Sequence, residues 1–323
     1  MTRRGLQIRP MPIGAEVGQL AEGDYADPEV QEALYQAWLE HGVLLFRDIA
    51  STEQHLSLSR CFGELEIHPV VEQRSDEHPL LIELGGQKRS HAYVFDERDV
   101  RINRIAWHRD TAYTPDICKG AMLRMVDVPG SEGETMVADT ARAYDDLPLD
   151  MKQRLAGLEF KATLRLDPPE IQSQPGAFWK SARLATAIED PEGPEPKPPG
   201  NETTAERWPS VVHPAVLQHP ETGRMSIFLS PTYVDHFLGM DEQEGSALLR
   251  YLADHMLQPK YIYKHCWARN DALLWDNRRF LHAGMGNSVD EPRRGLRTTL
   301  AGPVRTGRYF DTSAVPSGPI LAD

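Results

Sequence analysis

Apolar residues at helical spacing open the chain, and a short apolar run follows them. Segment 27–41, DPEVQEALYQAWLEH, carries an apolar stripe and is followed by Gly42, so it predicts an amphipathic helix that ends at the glycine. The run VLLFRDI at 43–49 predicts a buried strand, and Ser51 predicts the polar cap of a second helix. The apolar stripe of the first helix consists of Val30, Leu34, Ala37 and Trp38.

From Leu80 onwards the pattern changes to short β-rich runs separated by turn residues. Many short strands are typical of a sandwich or barrel, so we expect a mostly β protein with flanking helices. Polar helices are predicted within 141–158 and at 241–256. The predicted strands are LLIEL, YVF, INRIAWH, AMLRMVDV, ETMVAD, YIYKHCW, ALLWD and LRTTLAG.

A stretch without periodicity, from about residue 167 to 209, interrupts the β pattern. Its segment 190–200, DPEGPEPKPPG, is too rich in proline, glycine and acid to form a core, which predicts an exposed, partly disordered insertion. The aromatic pair Phe178 and Trp179 needs a surface to cover, either the mouth of an active site or the outside of the barrel. We expect one domain over 1–323 that carries this proline-rich loop.

Charge and cysteine content narrow the class of protein. The formal net charge of -13 and pI near 5.4 argue against nucleic-acid binding, which needs a concentrated positive surface, and favour a small-molecule partner. The three cysteines form no CxxC pair and no disulfide framework. We find neither a signal-peptide pattern nor an apolar stretch of membrane-spanning length, and we therefore expect a cytoplasmic protein without a membrane partner.

A histidine and a carboxylate two positions apart are the first candidate for chemistry. In WHRDT, His108 and Asp110 would share one face of a strand and could converge on one metal ion. A lone histidine is more often a hydrogen-bonded structural residue, so this spacing alone is weak evidence. His282, 174 positions later in WDNRRFLH, supplies a second imidazole. Two histidines and one carboxylate form a facial triad, which leaves sites open for a bidentate 2-oxo acid and O2.

Arginines follow the last candidate ligand at short distances. Arg293 and Arg297 lie eleven and fifteen residues after His282, and a guanidinium can bind a carboxylate bidentately. The alternative is a solvated basic turn. Thr135, on a strand after a glycine turn, could donate a hydrogen bond to the same carboxylate.

Taken together, these motifs resemble the taurine dioxygenase and dichlorophenoxyacetate dioxygenase (TauD/TfdA) family of iron(II)- and 2-oxoglutarate-dependent dioxygenases. The resemblance runs in order over nearly the whole chain. It implies a double-stranded β-helix core, the jelly roll that is also found in cupins, and an oxidoreductase that uses O2. The matching motifs are HGVLLFRDI, CFGELEIHPV, WHRDT, SEGET, ARAYDDLP, WPSVVHPAVLQHPETG, WDNRRFLH and RGLRTTLAG.

The resemblance also implies roles for single residues. It implies that His108, Asp110 and His282 bind iron(II). It further implies that Arg293, assisted by Thr135, pairs with the distal carboxylate of 2-oxoglutarate, with Arg297 near the cosubstrate or an anionic group of the substrate. Arg294 is adjacent to Arg293, and the sequence leaves open which of the two holds 2-oxoglutarate.

Substrate residues carry over less well. His68 stands where taurine dioxygenase has a substrate-contacting histidine, but Val71 replaces a tyrosine and Arg104 replaces an asparagine, which puts taurine itself in doubt. Trp179 and Phe228 are further candidates for substrate contact.

The expected reaction is hydroxylation of a small anionic organic substrate, with cleavage where the new alcohol is unstable, and release of succinate and CO2. Desaturation or cyclisation would use the same ligands. The competing classes are a catalytically silent barrel that binds a small acid and a zinc or manganese hydrolase or lyase of the cupin kind. The sequence leaves a homo-oligomer open.

Overall fold

The computed structural model describes residues 6–68, 74–86, 93–95, 99–164, 182–184, 208–302 and 305–311. The helices are α1 (Pro28–His41), α2 (Thr52–Arg60), α3 (Thr140–Asp145), α4 (Leu149–Leu155) and α5 (Glu242–Met256), with short 3-10 turns at Glu22–Ala26 and Pro259–Tyr261. The strands are β1 (Gln7–Pro10), β2 (Ala15–Gly18), β3 (Val43–Phe46), β4 (Leu65–Glu66), β5 (Leu81–Gly85), β6 (Tyr93–Phe95), β7 (Asp99–His108), β8 (Gly120–Asp127), β9 (Thr135–Asp139), β10 (Glu159–Ala162), β11 (Ala182–Leu184), β12 (Val211–Pro214), β13 (Val216–Gln218), β14 (Met225–Ile227), β15 (Val234–Phe237), β16 (Ile262–His265), β17 (Ala272–Asp276), β18 (Phe280–Ser288), β19 (Arg294–Leu300) and β20 (Arg308–Tyr309).

Local sequence signals account for the first helices. The Asp27 side chain accepts a hydrogen bond from the Glu29 amide at the start of α1, and Gly42 ends the helix with a left-handed φ of 72°. The Ser51 hydroxyl caps α2 in the same way, by accepting from the amide of Gln54. Both predicted helices are confirmed.

Two antiparallel-rich sheets pack face to face and form the core. The larger has eight strands in the order β1-β2-β3-β17-β8-β19-β4, with β5 also paired to β19, and the smaller has six in the order β11-β6-β7-β18-β9-β16. The buried residues between them come from alternate positions of both sheets, as two-residue periodicity requires. This inner cluster includes Val43, Leu45, Leu123, Val137, Leu273, Trp275 and Phe280.

Helices cover the outer faces of the two sheets. Leu34 and Trp38 of α1 pack on Leu44 of β3 and Leu274 of β17. These two residues alternate along their strands with residues of the inner cluster and therefore point to the outer face. Residues of α5 pack in the same way on the outer face of the six-stranded sheet, together with the four-stranded sheet β15-β10-β12-β20. Strands buried on both sides explain the continuous apolar runs. The predicted mostly β fold with flanking helices and a jelly-roll core is confirmed.

The long insertion is largely outside the described residues, as are Val71 and Trp179. Within 167–209, the structure describes only β11 and residues 208–209, so the single domain and the exposed loop stay predictions. No helix in the part of the chain that the structure describes is long and apolar enough to cross a bilayer.

Candidate metal centre

Neighbouring strands of the six-stranded sheet bring the two predicted imidazoles together. His108 ends β7, and its Cα lies directly opposite that of His282 on β18. Directly opposed residues of an antiparallel pair point to the same face. Val137 of β9, which lies opposite His282 on the other side, packs in the inner cluster, so this face is the interior of the jelly roll. Asp110 follows two residues after His108 and is buried beside both histidines.

The three predicted metal-ligating side chains converge on one point. One ligand atom from each of His108, Asp110 and His282 lies within 4.8 Å of the others. The Nε2 atom of His108 is 3.5 Å from Oδ1 of Asp110, and the Nε2 atom of His282 is 3.5 Å from Oδ2. The imidazole centroids are 4.1 Å apart. Two nitrogens and one carboxylate on one side of an ion are the donor set of a facial triad.

Hydrogen bonds and charges in the site fit a bound cation. Nδ1 of His108 lies 2.7 Å from the carbonyl oxygen of Ala106, which can only accept, so Nδ1 carries the proton and Nε2 presents its lone pair. Oδ2 of Asp110 has no hydrogen-bond partner within the described segments. A buried carboxylate oxygen without a donor is costly unless a ligand or cation faces it, and the residues therefore fit iron(II).

The ionisation states suit metal binding. Burial, together with the neighbouring His108, lowers the pKa of His282 well below its ordinary value, so the imidazole is neutral. Burial alone would raise the pKa of Asp110, but Arg297 and the two histidines outweigh it and hold that pKa well below its usual range. A neutral imidazole and an ionised carboxylate are the forms that bind metal.

Asn277 and Arg109 hold the chain on either side of the candidate carboxylate ligand. The Asn277 amide accepts from the Asp110 backbone N–H and donates to the Asp110 carbonyl, both at 2.9 Å. The buried Arg109 guanidinium donates to the carbonyls of Asn277 and Ile227 and to the Thr140 hydroxyl. Burial lowers the pKa of Arg109 to about 9. No local sequence signal marks either residue, although Asn277 lies in the motif WDNRRFLH and Arg109 in WHRDT.

Arg297 reaches the centre from the opposite sheet. It lies on β19 and donates from Nη1 to Oδ1 of Asp110 over 2.7 Å. Burial would lower the pKa of Arg297, but the Asp110 carboxylate outweighs it and raises that pKa. Its Nε–H has no partner among the residues described. Arg297 therefore ties the two sheets together and retains a donor for an anion.

Arg293 and Arg294 lie in different environments. The buried guanidinium of Arg293 makes one hydrogen bond within the described chain, from Nε to the carbonyl of Gly133 at 3.1 Å. Desolvation lowers the pKa of Arg293 to about 10, and no carboxylate of the described residues opposes this effect. Arg294, in contrast, pairs with Glu83 at 3.0 Å and with Glu77. The charge that still needs an anion is therefore that of Arg293.

The turn that leads into the strand of Thr135 contacts Arg293. A side chain at Gly133, two residues earlier, would come within 3.3 Å of Arg293 Cδ and Nε. The Thr135 hydroxyl accepts a hydrogen bond from the indole N–H of Trp267 at 3.1 Å. Its single proton must then point away from the indole, so the hydroxyl can still donate a hydrogen bond. Trp267 was not singled out from the sequence.

The predicted substrate residues lie in different environments. His68 is buried, and its carbonyl accepts from Arg74 at 2.7 Å. Phe228 is fully buried, with the Arg109 guanidinium 4.9 Å from its ring centroid, and its contact with substrate stays a prediction. Val71 and Trp179 lie outside the described residues.

Arg104 is turned away from the centre by an irregularity in the pairing. The register of β7 and β18 shifts between the partners of His282 and Gly284, so that Arg104 lies opposite Met285. Met285 packs against the outer core cluster, and Arg104 therefore lies on the outer face. The sequence interpretation of Arg104 as a substrate contact is not supported, because a bulge changes which residues share a face.

An aromatic row, which we define as Tyr233, Tyr113 and Trp208, extends from the metal ligands. The ring of Tyr233 lies edge-on to His108 with centroids 6.4 Å apart, and Tyr113 contacts both Tyr233 and Trp208 at 5.3 Å. Burial, reinforced by the Asp110 charge, raises the pKa of Tyr113, so its hydroxyl stays neutral. Trp208 begins the motif WPSVVHPAVLQHPETG, but no local sequence signal linked it to Tyr113 and Tyr233, because the three rings come from separate loops.

Comparison with known proteins agrees with this geometry. The family model for the taurine catabolism dioxygenase TauD, TfdA family matches residues 7–299. The chain is similar to an (S)-phenoxypropionate/alpha-ketoglutarate-dioxygenase of Sphingobium herbicidovorans, at 30% identity over 290 residues that cover 90% of each protein. It is also similar to the pentalenolactone F synthase of Streptomyces avermitilis, at 26% identity over 98% of each protein.

A solved structure supports the fold. A taurine dioxygenase from Burkholderia xenovorans superposes with a TM-score of 0.72 at 24% sequence identity, over 96% of this chain and 97% of that chain. At this identity the likeness bears on the fold alone. Because the family model spans nearly the whole sequence, this chain belongs to the taurine catabolism dioxygenase TauD, TfdA family.

Proposed function

We propose that the chain binds iron(II) through His108, Asp110 and His282, seats 2-oxoglutarate on Arg293, and hydroxylates a small anionic organic substrate with O2. When bound, the iron supplies the oxygen chemistry: one atom of O2 enters the succinate formed, with CO2, from 2-oxoglutarate, and the other enters a substrate C–H bond. Two observations carry the proposal: the convergence of a His-Asp-His cluster, and a buried Arg293 guanidinium without a carboxylate partner in the described chain.

Arg293 and Thr135 form the seat for the distal carboxylate of 2-oxoglutarate. The Arg293 fork has lost its hydration and has no carboxylate partner in the described chain, so a carboxylate from outside gains a charge-assisted pair at little further desolvation cost. Thr135 can add its hydroxyl proton, since Trp267 occupies the acceptor side. The two donors orient the cosubstrate with its 2-oxo acid end free to reach the metal.

The Arg297–Asp110 pair leaves guanidinium donors of Arg297 available to an anionic substrate. The Arg297 pair keeps Asp110 ionised and limits its rotation, and the remaining guanidinium donors can face an acid group. The name of the Sphingobium relative, with phenoxypropionate as its substrate, supports an organic acid. The aromatic row offers flat apolar surface to the body of such a molecule.

Two alternatives differ in outcome. Desaturation or cyclisation in a biosynthetic pathway would use the same residues. The similarity to a pentalenolactone F synthase supports this alternative. A non-catalytic barrel would not need a complete triad, and the convergence of all three ligands argues against it.

The test combines binding and turnover. Anaerobic protein loaded with iron(II) should bind 2-oxoglutarate in a calorimetric titration, and on admission of O2 it should release succinate faster with a true substrate among small carboxylates, sulfonates and aryloxyacids. Failure to bind 2-oxoglutarate would refute the proposal. As working expectations, the enzyme is cytoplasmic, has one domain with no nucleic-acid or membrane partner, and has an oligomeric state that size measurement must establish.

A further inference from the structure

A second carboxylate faces the same interior as the metal centre. Glu66 lies on β4, and its Cα is opposite that of Thr299 on β19. Opposed residues share a face, and Arg297 lies two residues before Thr299 on the same strand. Leu65, the neighbour of Glu66, packs instead with the outer helices. Glu66 therefore points to the side from which Arg297 contacts Asp110.

The Glu66 carboxylate has no hydrogen bond and no ion pair with any residue in the described ranges, and it is only partly exposed. Its electrostatic neighbours are Arg297 and Asp110, and it acts in turn on the buried Tyr113 hydroxyl. Burial raises the pKa of Glu66 to about 7, Arg297 opposes that rise and Asp110 adds to it. Near neutral pH, a charged or hydrogen-bonding group beside the Glu66 carboxylate therefore determines whether the carboxylate is ionised.

The charges around the site balance without a substrate. Asp110 and Glu66 are offset by Arg297 and Arg293, and a divalent metal is offset by the dianion of 2-oxoglutarate. Without Glu66 the loaded site would carry an excess positive charge and would favour a simple anion. With Glu66 ionised, a simple anion meets a like charge, whereas a molecule that also carries a hydrogen-bond donor meets a free acceptor.

We propose that Glu66 is a specificity-determining residue, which accepts a hydrogen bond from an ammonium or hydroxyl group of an otherwise acidic substrate. The inference rests on the proposed function and narrows its substrate class. The acid group would face the free donors of Arg297, the apolar body would pack along the aromatic row, and the donor group would reach Glu66. The enzyme would thereby discriminate against plain monoanions.

The experiment measures how ligand charge and Glu66 charge are coupled. The probes are phenoxyacetate and its ortho-, meta- and para-aminomethyl derivatives, which differ by one ammonium group at a known ring position. Their dissociation constants are measured by calorimetry on the anaerobic iron(II) and 2-oxoglutarate complex at pH 8. The proteins are the wild type, Glu66→Gln, which keeps shape and removes charge, and Glu64→Gln, which removes an exposed charge nearby.

We expect at least one aminomethyl isomer to bind the wild type at least about tenfold more tightly than phenoxyacetate, as an opposite charge in a partly buried site allows. Glu66→Gln should reduce that preference to less than about threefold and tighten phenoxyacetate binding, while Glu64→Gln should retain the wild-type preference. Absence of any preference in the wild type, or its survival in Glu66→Gln, would overturn the inference.

The two proposals fail separately. If 2-oxoglutarate binds and yields succinate but ligand charge has no effect, only the role of Glu66 is wrong. If the charge preference depends on Glu66 but 2-oxoglutarate does not bind, only the proposed reaction is wrong, and the ligand titrations are then read on the iron(II) protein alone. Unfolding temperatures of both glutamine variants separate a recognition role from loss of structure.

Discussion

The guanidinium groups of Arg293 and Arg294, adjacent in the chain, serve different purposes. Arg294 is neutralised by Glu83 and Glu77, whereas Arg293 is buried against the Gly133 carbonyl without an acidic partner in the described structure. The Arg294 charge is balanced by its two carboxylates, whereas a buried charge without a counterion is costly. The difference favours Arg293 over Arg294 as the residue proposed to hold 2-oxoglutarate.

Arg293→Ala should therefore weaken 2-oxoglutarate binding by about 2–4 kcal/mol, which corresponds to roughly 30- to 1000-fold, because one side of a buried charged pair is lost. Arg294→Ala is the matched control and should change the affinity by less than about threefold. Calorimetric titration of anaerobic iron(II) protein measures both. Equal effects of the two substitutions would contradict the assignment.

Trp267→Phe should weaken 2-oxoglutarate binding by about three- to tenfold, because the Thr135 hydroxyl loses the donor that directs its proton. Thr135→Val should have a similar effect, and the double variant should be no weaker than the worse single variant, as expected for two groups that act through one hydrogen bond. Additive losses in the same titration would show that Trp267 acts independently of Thr135.

Asn277→Ala removes the amide that bridges the backbone of Asp110 and the carbonyl of Cys118. We expect the free energy of unfolding to fall by about 2–4 kcal/mol, since buried backbone groups lose their partners. Metal affinity should fall by about tenfold, because Asp110 is less well positioned. Denaturant unfolding and a metal titration measure the two effects. Lost stability with unchanged metal affinity would limit Asn277 to a structural role.

Metal binding should stabilise the fold. Iron(II) under anaerobic conditions, at about 100 times its dissociation constant, should add about 2.7 kcal/mol and raise the unfolding temperature by roughly 3–8 °C. His282→Ala should abolish that rise, and His219→Ala, which removes a buried histidine paired with Asp276 at 2.8 Å, should lower the baseline yet retain the rise. A rise that persists in His282→Ala would place the metal elsewhere.

The stability of the metal-free protein should depend on pH through Glu66. Burial raises its pKa from 4.5 to about 7, so the folded state holds this proton more tightly than the unfolded chain. The stability that the group contributes is complete below about pH 4.5 and is lost as the pH rises through 7. We therefore compare the unfolding temperature of Glu66→Gln with that of the wild type at two pH values. The difference, variant minus wild type, should be more positive at pH 8 than at pH 5. An equal difference at both values would show that Glu66 does not titrate in this range.

Local patterns in the sequence determined much of the fold. The caps at Asp27 and Ser51 and the stop at Gly42 depend on hydrogen bonds within a few residues, and strands buried on both faces must be apolar throughout. The spacing of His108 and Asp110 placed an imidazole and a carboxylate within reach of each other, again by short-range geometry. The predicted helices agree with the observed elements, whereas Asp110 lies in the turn after β7 and not, as its spacing predicted, on one strand with His108.

Only the tertiary structure decided how distant segments meet. The register of β7 against β18 sets His282 opposite His108 and turns Arg104 to the outer face, and a one-residue bulge cannot be read from periodicity. Nothing in the local sequence distinguishes Glu66 from an exposed glutamate. Its orientation towards the interior follows from the pairing of β4 with β19. The choice between Arg293 and Arg294 likewise depends on which guanidinium pairs with carboxylates from distant parts of the chain. Such ion pairs depend on three-dimensional proximity, which the order of residues in the sequence does not show.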